Sequence, residues 1–182
     1  MNQAISNLTT QHLVLTTIGK NKTGLVSELT GLVTECQCNI IDSKMAIFGS
    51  EFTMIMLLAG DGPALSQLEM KLPQLAVKLD LLSMMKRTSS HTGLNPEQYL
   101  IQIEGPDQAG TIKTLTSFLA SNDIDVVSLR SGTSVENNQE WQQAEITIEL
   151  PMGSNIDNLG KEFERLCHSI KMKCTFNLIT IE

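Results

Sequence analysis

The chain has 182 residues, of which 41% are hydrophobic and 18% charged, with a formal net charge of −7 and a sequence pI of about 5.0. This composition excludes a disordered chain, and the length suits one large or two small domains. The acidic balance argues against direct nucleic-acid binding, which usually needs a basic surface, but leaves room for a basic protein partner.

Neither a membrane span nor a signal peptide is indicated. No run of residues approaches the roughly 20 apolar positions of a transmembrane helix, and Met1–Gln11 lacks a charged segment followed by an apolar one. We therefore expect a cytoplasmic protein with reduced cysteines. Cys36 and Cys38 form only a C-x-C pair, and His168 adjoins Cys167, a spacing that fits no standard zinc finger. We expect buried thiols, with no metal and no cofactor.

Hydrophobic periodicity and turn residues divide the first half of the chain into six elements. Residue Pro73 falls inside the second predicted helix, which we expect to be kinked or broken there. In chain order the pattern predicts a strand over 12–19, a helix opened by Thr23 or Gly24, strands over 38–48 and 51–59, a helix with apolar positions from Leu65 to Leu79, and a strand over 81–86.

A polar segment with Gly and Pro and no periodicity follows, and it predicts a linker over 88–97 between domains at 1–87 and 98–182. The second half then repeats the order of the first. The pattern predicts strands over 99–105, 124–134, 143–150 and 173–181, a helix around Ile112–Leu119, and a helix capped by Ser154 or Asn155. Each half is therefore β-α-β-β-α-β, the ferredoxin-like arrangement of the α+β class, with two helices on one face of an antiparallel sheet.

The two halves align without a gap when the chain is shifted against itself by 86 positions. Such internal repetition indicates two copies of one structural unit. The shift superimposes four identical pairs, which are Gly19 with Gly105, Gly24 with Gly110, Leu29 with Leu115 and Thr30 with Thr116.

In both halves a strand ends at a glycine, and a second glycine five residues later opens a helix. Free N–H groups and the positive end of the helix dipole favour a carboxylate at such a place. A glycine there also lets a ligand or another backbone approach closely. The alternative is that these glycines only make tight turns. Neither a P-loop nor a GxGxxG fingerprint is present.

The β-α-β-β-α-β order, the Asp107-x-x-Gly110 turn and the strand start Asn39-Ile40-Ile41-Asp42 resemble ACT domains, small regulatory modules that often bind amino acids. Two in tandem cover almost the whole chain. The resemblance implies a ligand between the first turn and the start of the second strand, usually at a domain–domain interface. Carried over, it nominates Asn21, Gly24, Leu25, Asn39 and Ile40 in the first unit, and Asp107, Gly110, Thr111, Asp125 and Val126 in the second.

The two turns differ at one position. Asn21 offers both a donor and an acceptor, whereas the carboxylate of Asp107 would repel the carboxylate of a ligand. We therefore expect the first unit to bind an amino acid better than the second. For Asn39 and Asp125, ordinary turn chemistry before a strand is the open alternative.

The strand over 51–59 is apolar on both faces from Met54 to Leu58. Because the helices of this fold cover only one face of the sheet, Ile55 and Leu57, or their alternates, should lie on a face that needs a cover. The other domain, a second copy of the chain and a partner protein are the three candidates.

The resemblance implies a regulatory protein without enzymatic activity. It would respond to a small amino acid, glycine or serine, and repress transcription by holding a DNA-binding activator of the glycine cleavage operon; self-association of the chain stays open. One alternative is a protein-binding adaptor without a ligand. The other is an enzyme, which scattered histidines and a Cys36 without a basic neighbour disfavour.

Overall fold

The computed structural model describes residues 10–89, 97–136, 138–150 and 156–179. The first unit consists of β1 (Gln11–Lys20), α1 (Leu25–Glu35), β2 (Asn39–Phe48), β3 (Glu51–Gly60), α2 (Gly62–Leu79) and β4 (Leu81–Thr88). Its four strands form one sheet in the order β2-β3-β1-β4, and each neighbouring pair is antiparallel.

The second unit repeats this architecture with β5 (Gln98–Pro106), α3 (Thr111–Ser121), β6 (Asp125–Glu136), β7 (Gln139–Glu149), α4 (Ile156–Ser169) and β8 (Lys173–Ile179). Its sheet has the matching order β6-β7-β5-β8, again antiparallel throughout. The predicted α+β class with two ferredoxin-like units in tandem is confirmed.

The contacts between residues divide the chain between Thr92 and Gly93. Strand β4 continues through Thr88, so the first residue of the predicted linker 88–97 belongs to the sheet. Residues 90–96 of that linker lie outside the described part of the chain, as do the predicted helix caps Ser154 and Asn155 and the last residues of the final strand.

The core of the first unit lies between the two helices and one face of the sheet. Helix α1 buries Leu25, Leu29, Leu32 and Val33, the predicted apolar stripe. Strand β3 points alternate residues from Phe52 to Leu58 into the same core. Each such side chain contributes about 1.5–3 kcal/mol of hydrophobic free energy when fully buried.

Helix α2 runs without interruption from Gly62 to Leu79, so of the two outcomes expected at Pro73, a kink or a break, the break was wrong. The side chain of Asp61 caps its start by accepting from the Ala64 N–H at 2.7 Å. Pro73 is exposed, while Leu72 and Ala76 on either side of it are buried against the sheet. We attribute the continuity to this packing, which holds both halves of the helix although proline removes one backbone hydrogen bond.

The second unit has a more aromatic core. The inward residues of β7 that alternation predicted, from Ala144 to Ile148, are all buried. Phe163 is fully buried and contacts Phe118 and Phe176 edge to face, with ring centroids 5.6 and 5.4 Å apart. This geometry is the favoured one for aromatic pairs. Within the described residues, no helix is both long and apolar enough to cross a membrane.

Candidate functional site

Both helix starts singled out by the sequence are formed by a glycine in the left-handed region. Gly24 caps α1 with φ of 95°, and Gly110 caps α3 with φ of 90°. A Cβ added at either glycine would meet nothing within 4 Å. These two glycines are therefore required by their backbone conformation, and no part of the described chain approaches them closely.

The glycines that end the preceding strands are explained instead by the close approach of another part of the backbone. A Cβ on Gly19 would lie 2.6 Å from the carbonyl oxygen of Asp80, and one on Gly105 would lie 2.8 Å from that of Lys171. Both carbonyls belong to left-handed residues that link the second helix of each unit to its last strand. Gly19 and Gly105 therefore let the ends of β1 and β5 pack against the connection between the second helix and the last strand of their unit.

The two turns are tied to their sheets in the same way. The N–H of Asn21 donates to the carbonyl oxygen of Ser50, and the N–H of Asp107 donates to that of Glu140, both at 2.9 Å. No side chain caps α1 or α3. The first-turn N–H groups of α1 are thus left for water or for a ligand with a negative group, as are those of α3 except the N–H of Thr111, which donates to the Gln108 carbonyl oxygen at 3.3 Å.

The strand starts nominated with these turns lie at the opposite end of each sheet. Lys20 pairs with Glu51, whereas Asn39 pairs with Ala59, eight residues further along β3. At about 3.3 Å per residue, this separates the turn from the strand start by about 26 Å. The second unit has the same offset, because Pro106 pairs with Trp141 and Asp125 with Glu149.

The structure therefore gathers Asn21, Gly24 and Leu25 at one end of the first unit and leaves Asn39 and Ile40 at the other. The second unit separates Asp107, Gly110 and Thr111 from Asp125 and Val126 in the same way. A small ligand therefore cannot contact both sets within one unit.

The side chains beneath the two turns differ in polarity. In the first unit Gly19 pairs with Phe52, which pairs with Ile47, and α1 begins with the buried Leu25. The matching positions of the second unit hold polar residues throughout. They are Gln142 opposite Gly105, Thr133 opposite Gln142, and Thr111 at the start of α3.

Gln142 is the residue that sequence reasoning missed. Its Oε1 is buried and accepts no hydrogen bond from the described residues. The Thr133 hydroxyl donates to Asp107 Oδ2 at 3.4 Å, and the Thr111 hydroxyl donates to the Gln108 carbonyl at 2.9 Å. The alternation that placed Ala144 inward also places Gln142 inward, so extending β7 by one step would have revealed it.

Two surface hollows are prominent, and neither is lined by a nominated ligand residue. One of about 1420 Å³ lies in the second unit along β6, β7 and the exposed side of α4. Its lining includes residues from both faces of the sheet, so it is a broad open surface and no enclosed pocket. The other, of about 650 Å³, lies in the first unit beside Arg87. The candidate turns at 21–24 and 107–110 are exposed to solvent.

The cysteines are not arranged as nucleophiles or metal ligands. Burial raises the pKa of Cys36 and of Cys38, which keeps both thiols protonated. Cys167 donates a hydrogen bond to Cys174, which raises the pKa of Cys167 and lowers that of Cys174. Among the described residues, no three His, Cys, Asp or Glu side chains come together as a metal site.

The fold and its paired glycine turns define a tandem ACT-domain protein. The family model of the ACT domain matches residues 11–86. A solved structure from Galdieria sulphuraria, of a protein of unknown function, has the same fold over 94% of this chain and all of its own, with a TM-score of 0.75 and 21% identity.

Closer relatives identify the particular family. The glycine cleavage system transcriptional repressor of Escherichia coli K12 is 32% identical over 176 residues, 94% of this chain and 93% of the relative, and the same values hold for that of Shigella flexneri. A crystal structure described provisionally as such a repressor is 35% identical, covers 94% of this chain and 99% of its own, and has a TM-score of 0.74. The chain belongs to the glycine cleavage system transcriptional repressor family.

Proposed function

We propose that this protein is an amino-acid-responsive regulator that represses transcription indirectly, by binding a DNA-binding activator of the glycine cleavage operon. The observation that carries the proposal is the 32% identity to a named repressor over 94% of the chain. The net charge of −7 supports an indirect route, since a protein with this charge is repelled by the phosphates of DNA.

The ligand is a small amino acid, glycine or serine, bound at the start of a helix. Its carboxylate accepts from the uncapped first-turn N–H groups that follow Gly24 in α1 or Thr111 in α3. Glycine has five heavy atoms, so at about 1.5 kcal/mol per atom it gains at most about 7–8 kcal/mol. This corresponds to a low-micromolar dissociation constant at best, which suits a sensor of a metabolite.

The polar residues beneath the second turn favour that turn for an amino acid. The Asp107 carboxylate and the unpartnered Gln142 Oε1 are acceptors that suit an α-ammonium group, while the start of α3 suits the carboxylate. Beneath the first turn, Phe52 and Leu25 offer no polar atom from their side chains. This reverses the preference for the first unit that Asn21 alone suggested.

Because the turns are open, a further wall of the site is needed. The strand starts at Asn39–Ile40 and Asp125–Val126 of a second copy of the chain are candidates for that wall. Ligand binding then stabilises one conformation of the protein, and the activator prefers another. Such coupling is reciprocal and typically amounts to about 1–3 kcal/mol.

Capture of the purified activator on the immobilised protein tests the switch. We expect the captured amount to change when glycine is raised to millimolar concentration, and to respond much less with Gln142→Leu. Gln143→Leu is the matched control, since Gln143 lies next in the strand but on the opposite face. An unchanged yield for the wild-type protein at every glycine concentration would refute the switch.

A ligand-independent adaptor is the second candidate, favoured by the open, unenclosed turns. The two are separated by the thermal unfolding midpoint with and without glycine, because only a ligand that binds the folded state raises it. An adaptor captures the activator equally at all glycine concentrations and shows no thermal shift.

A further inference from the structure

The sheet of the first unit has one face without helices, and this face is largely apolar. We call it the open face; it consists of the outward residues of β1, β2, β3 and β4. Leu82 and Met84 are 76% and 68% exposed, and Ile55 at its centre is 44% exposed. The predicted uncovered surface at Ile55 and Leu57 is thus part of a wider patch. Its apolar members are Val14, Ile18, Ala46, Phe48, Ile55, Leu57, Leu82 and Met84.

Four of the five charged residues of the open face have a symmetric arrangement; the fifth, Lys44 on β2, lies at the edge of the row of Ile55, with Met84 at the mirror position. Asp42 on β2 and Lys86 on β4 stand at opposite edges of one cross-strand row, with Leu57 and Val14 between them. At the far end, Glu51 and Lys20 are direct neighbours on the two central strands. Each acidic group therefore has a basic counterpart at the mirror position across the middle of the sheet.

We propose that the open face is the interface between two copies of this chain, related by a two-fold axis parallel to the strands. Such an axis lays β2 of one copy over β4 of the other, and β3 over β1. It places Asp42 opposite Lys86 and Glu51 opposite Lys20, each pair occurring twice. Packed sheets keep their strands within about 30° of each other, so the rows stay in approximate register.

The apolar residues are matched under the same operation. Leu57 of one copy faces Val14 of the other, so their row is apolar in its centre and charged at its edges. A two-fold axis perpendicular to the strands would instead lay the row of Asp42 and Lys86 over the row of Ala46 and Leu82. That arrangement lays two charges of each copy, Asp42 and Lys86, against apolar groups, whereas the axis parallel to the strands does so only with Lys44, opposite Met84; the perpendicular axis is therefore disfavoured.

The size of the face sets the strength of the contact. Four strands about 4.8 Å apart and about eight residues long cover roughly 500 Å² in projection. Two copies then bury about 1,000 Å², near the lower limit for specific interfaces. We expect a reversible, concentration-dependent dimer. This inference is independent of the proposed function, because it involves neither turn nor the activator.

Sedimentation equilibrium of the full chain over a wide concentration range tests the dimer. We expect Leu82→Glu to raise the dimer dissociation constant by at least about tenfold, since it buries a charge in the apolar patch. Val77→Glu is the matched control, because Val77 is 82% exposed on α2, away from the open face. It should leave the dissociation constant unchanged and shows that an added charge alone does not prevent association.

A charge exchange identifies the occupant as a second copy. Asp42→Lys and Lys86→Asp should each weaken the dimer, because each places like charges opposite one another. The double variant should restore the wild-type dissociation constant, as it recreates both pairs with reversed sign. A different protein on this face would not give this rescue.

Three results would overturn the proposal. The first is a wild-type chain that stays monomeric at all concentrations. The second is a dimer that Leu82→Glu and Val77→Glu affect equally. The third is a dimer that each single charge variant weakens but the double variant does not restore. Because the substituted side chains are exposed, their circular dichroism spectra should match the wild type and exclude unfolding as the cause.

Discussion

The two units share a fold but differ in polarity at two places, the helix-free face of the sheet and the row beneath the glycine turn. In the first unit the helix-free face of the sheet is apolar around Ile55, and the row beneath the glycine turn is apolar too. In the second unit the helix-free face carries hydrogen-bonded and ionic pairs, such as Gln102 with Glu145 and Lys173 with Glu104. There the row beneath the turn is polar, with a buried, unpartnered Gln142 Oε1.

This difference in polarity is the basis for assigning each unit its own role. The second unit has a polar helix-free face, which needs no cover, and polar residues under its turn. The first unit has apolar residues beneath its glycine turn and an apolar helix-free face. We infer that the first unit serves contact between proteins and the second serves the ligand. The following substitutions test this contrast, from the largest expected effect to the smallest.

Phe52 should contribute far more to stability than Gln142, its polar counterpart in the second unit. Phe52 is 1% exposed, so Phe52→Ala should lower the free energy of unfolding by about 3–5 kcal/mol. Gln142→Ala removes an unpartnered buried acceptor together with its packing, so it should change stability by less than about 1 kcal/mol. Urea unfolding of both variants checks this. Equal losses would show that Gln142 is an ordinary core residue.

Gly19 and Gly105, which lie close to backbone oxygens, should tolerate substitution equally poorly. Gly19→Ala and Gly105→Ala force a Cβ to within 2.6 and 2.8 Å of backbone oxygens, at a cost of about 1–3 kcal/mol each. The single tryptophan, Trp141, lies in the second unit. Its fluorescence should therefore report the effect of Gly105→Ala.

Gly31→Ala supplies the control for both substitutions. Gly31 lies in α1 with open space around its Cβ position, so alanine there should raise stability by about 0.5–1 kcal/mol. If Gly19→Ala were also neutral or stabilising, the strand end and the helix connection would not be packed as described.

Substituting the helix-start glycines Gly24 and Gly110 should cost less stability. It should also distinguish an effect on stability from an effect on the response to ligand. Gly24→Ala and Gly110→Ala place alanine in the left-handed region, which destabilises by about 1–2 kcal/mol in each unit. We expect only Gly110→Ala to weaken the thermal shift produced by glycine. A larger loss of the shift with Gly24→Ala would return the ligand to the first turn.

The smallest effect concerns an ion pair that the second unit lacks at the same position. The Arg87 side chain donates twice to the Glu69 carboxylate at 2.7 Å, and this bond lowers the pKa of Glu69. A lowered pKa means that the stabilisation is present above the ordinary value near 4.3 and is lost as pH falls through the lower folded value. Since both side chains are about one-third exposed, the contribution is below about 1 kcal/mol.

Glu69→Gln should therefore lower the free energy of unfolding slightly at pH 7 and make no difference at pH 2. The more exposed Lys173 and Glu104 pair, at 3.6 Å, supplies the comparison, and Glu104→Gln should have a smaller effect still. Urea unfolding at both pH values measures this. A constant difference across pH would assign the effect of Glu69→Gln to packing.

The sequence predicted the order of elements well, because strand alternation and helical stripes follow directly from burial. The break predicted at Pro73 does not occur, because the packing of Leu72 and Ala76 outweighs the local effect of proline on the helix. The nominated ligand residues could not be assigned to one place from spacing alone. Their separation depends on strand register, which includes matching irregularities between Ile40 and Asp42 and between Val126 and Ser128.

The asymmetry between the turns was visible only in part. Asn21 and Asp107 stand out in the turn itself, whereas Phe52 and Gln142 become equivalent only when Gly19 and Gly105 are seen to pair with them. The shift of 86 positions that aligns the turns does not align the third strands, because the hairpin of β6 and β7 is longer than that of β2 and β3. Pairing register, rather than sequence offset, therefore identifies the two residues as counterparts.

Isothermal titration calorimetry with glycine tests the central claim most directly. For the wild-type chain we predict saturable heat, with a dissociation constant between low micromolar and millimolar. Gln142→Leu should weaken binding by at least about tenfold, and Gln143→Leu should not change it. Absence of heat and of a thermal shift up to millimolar glycine or serine would contradict the account.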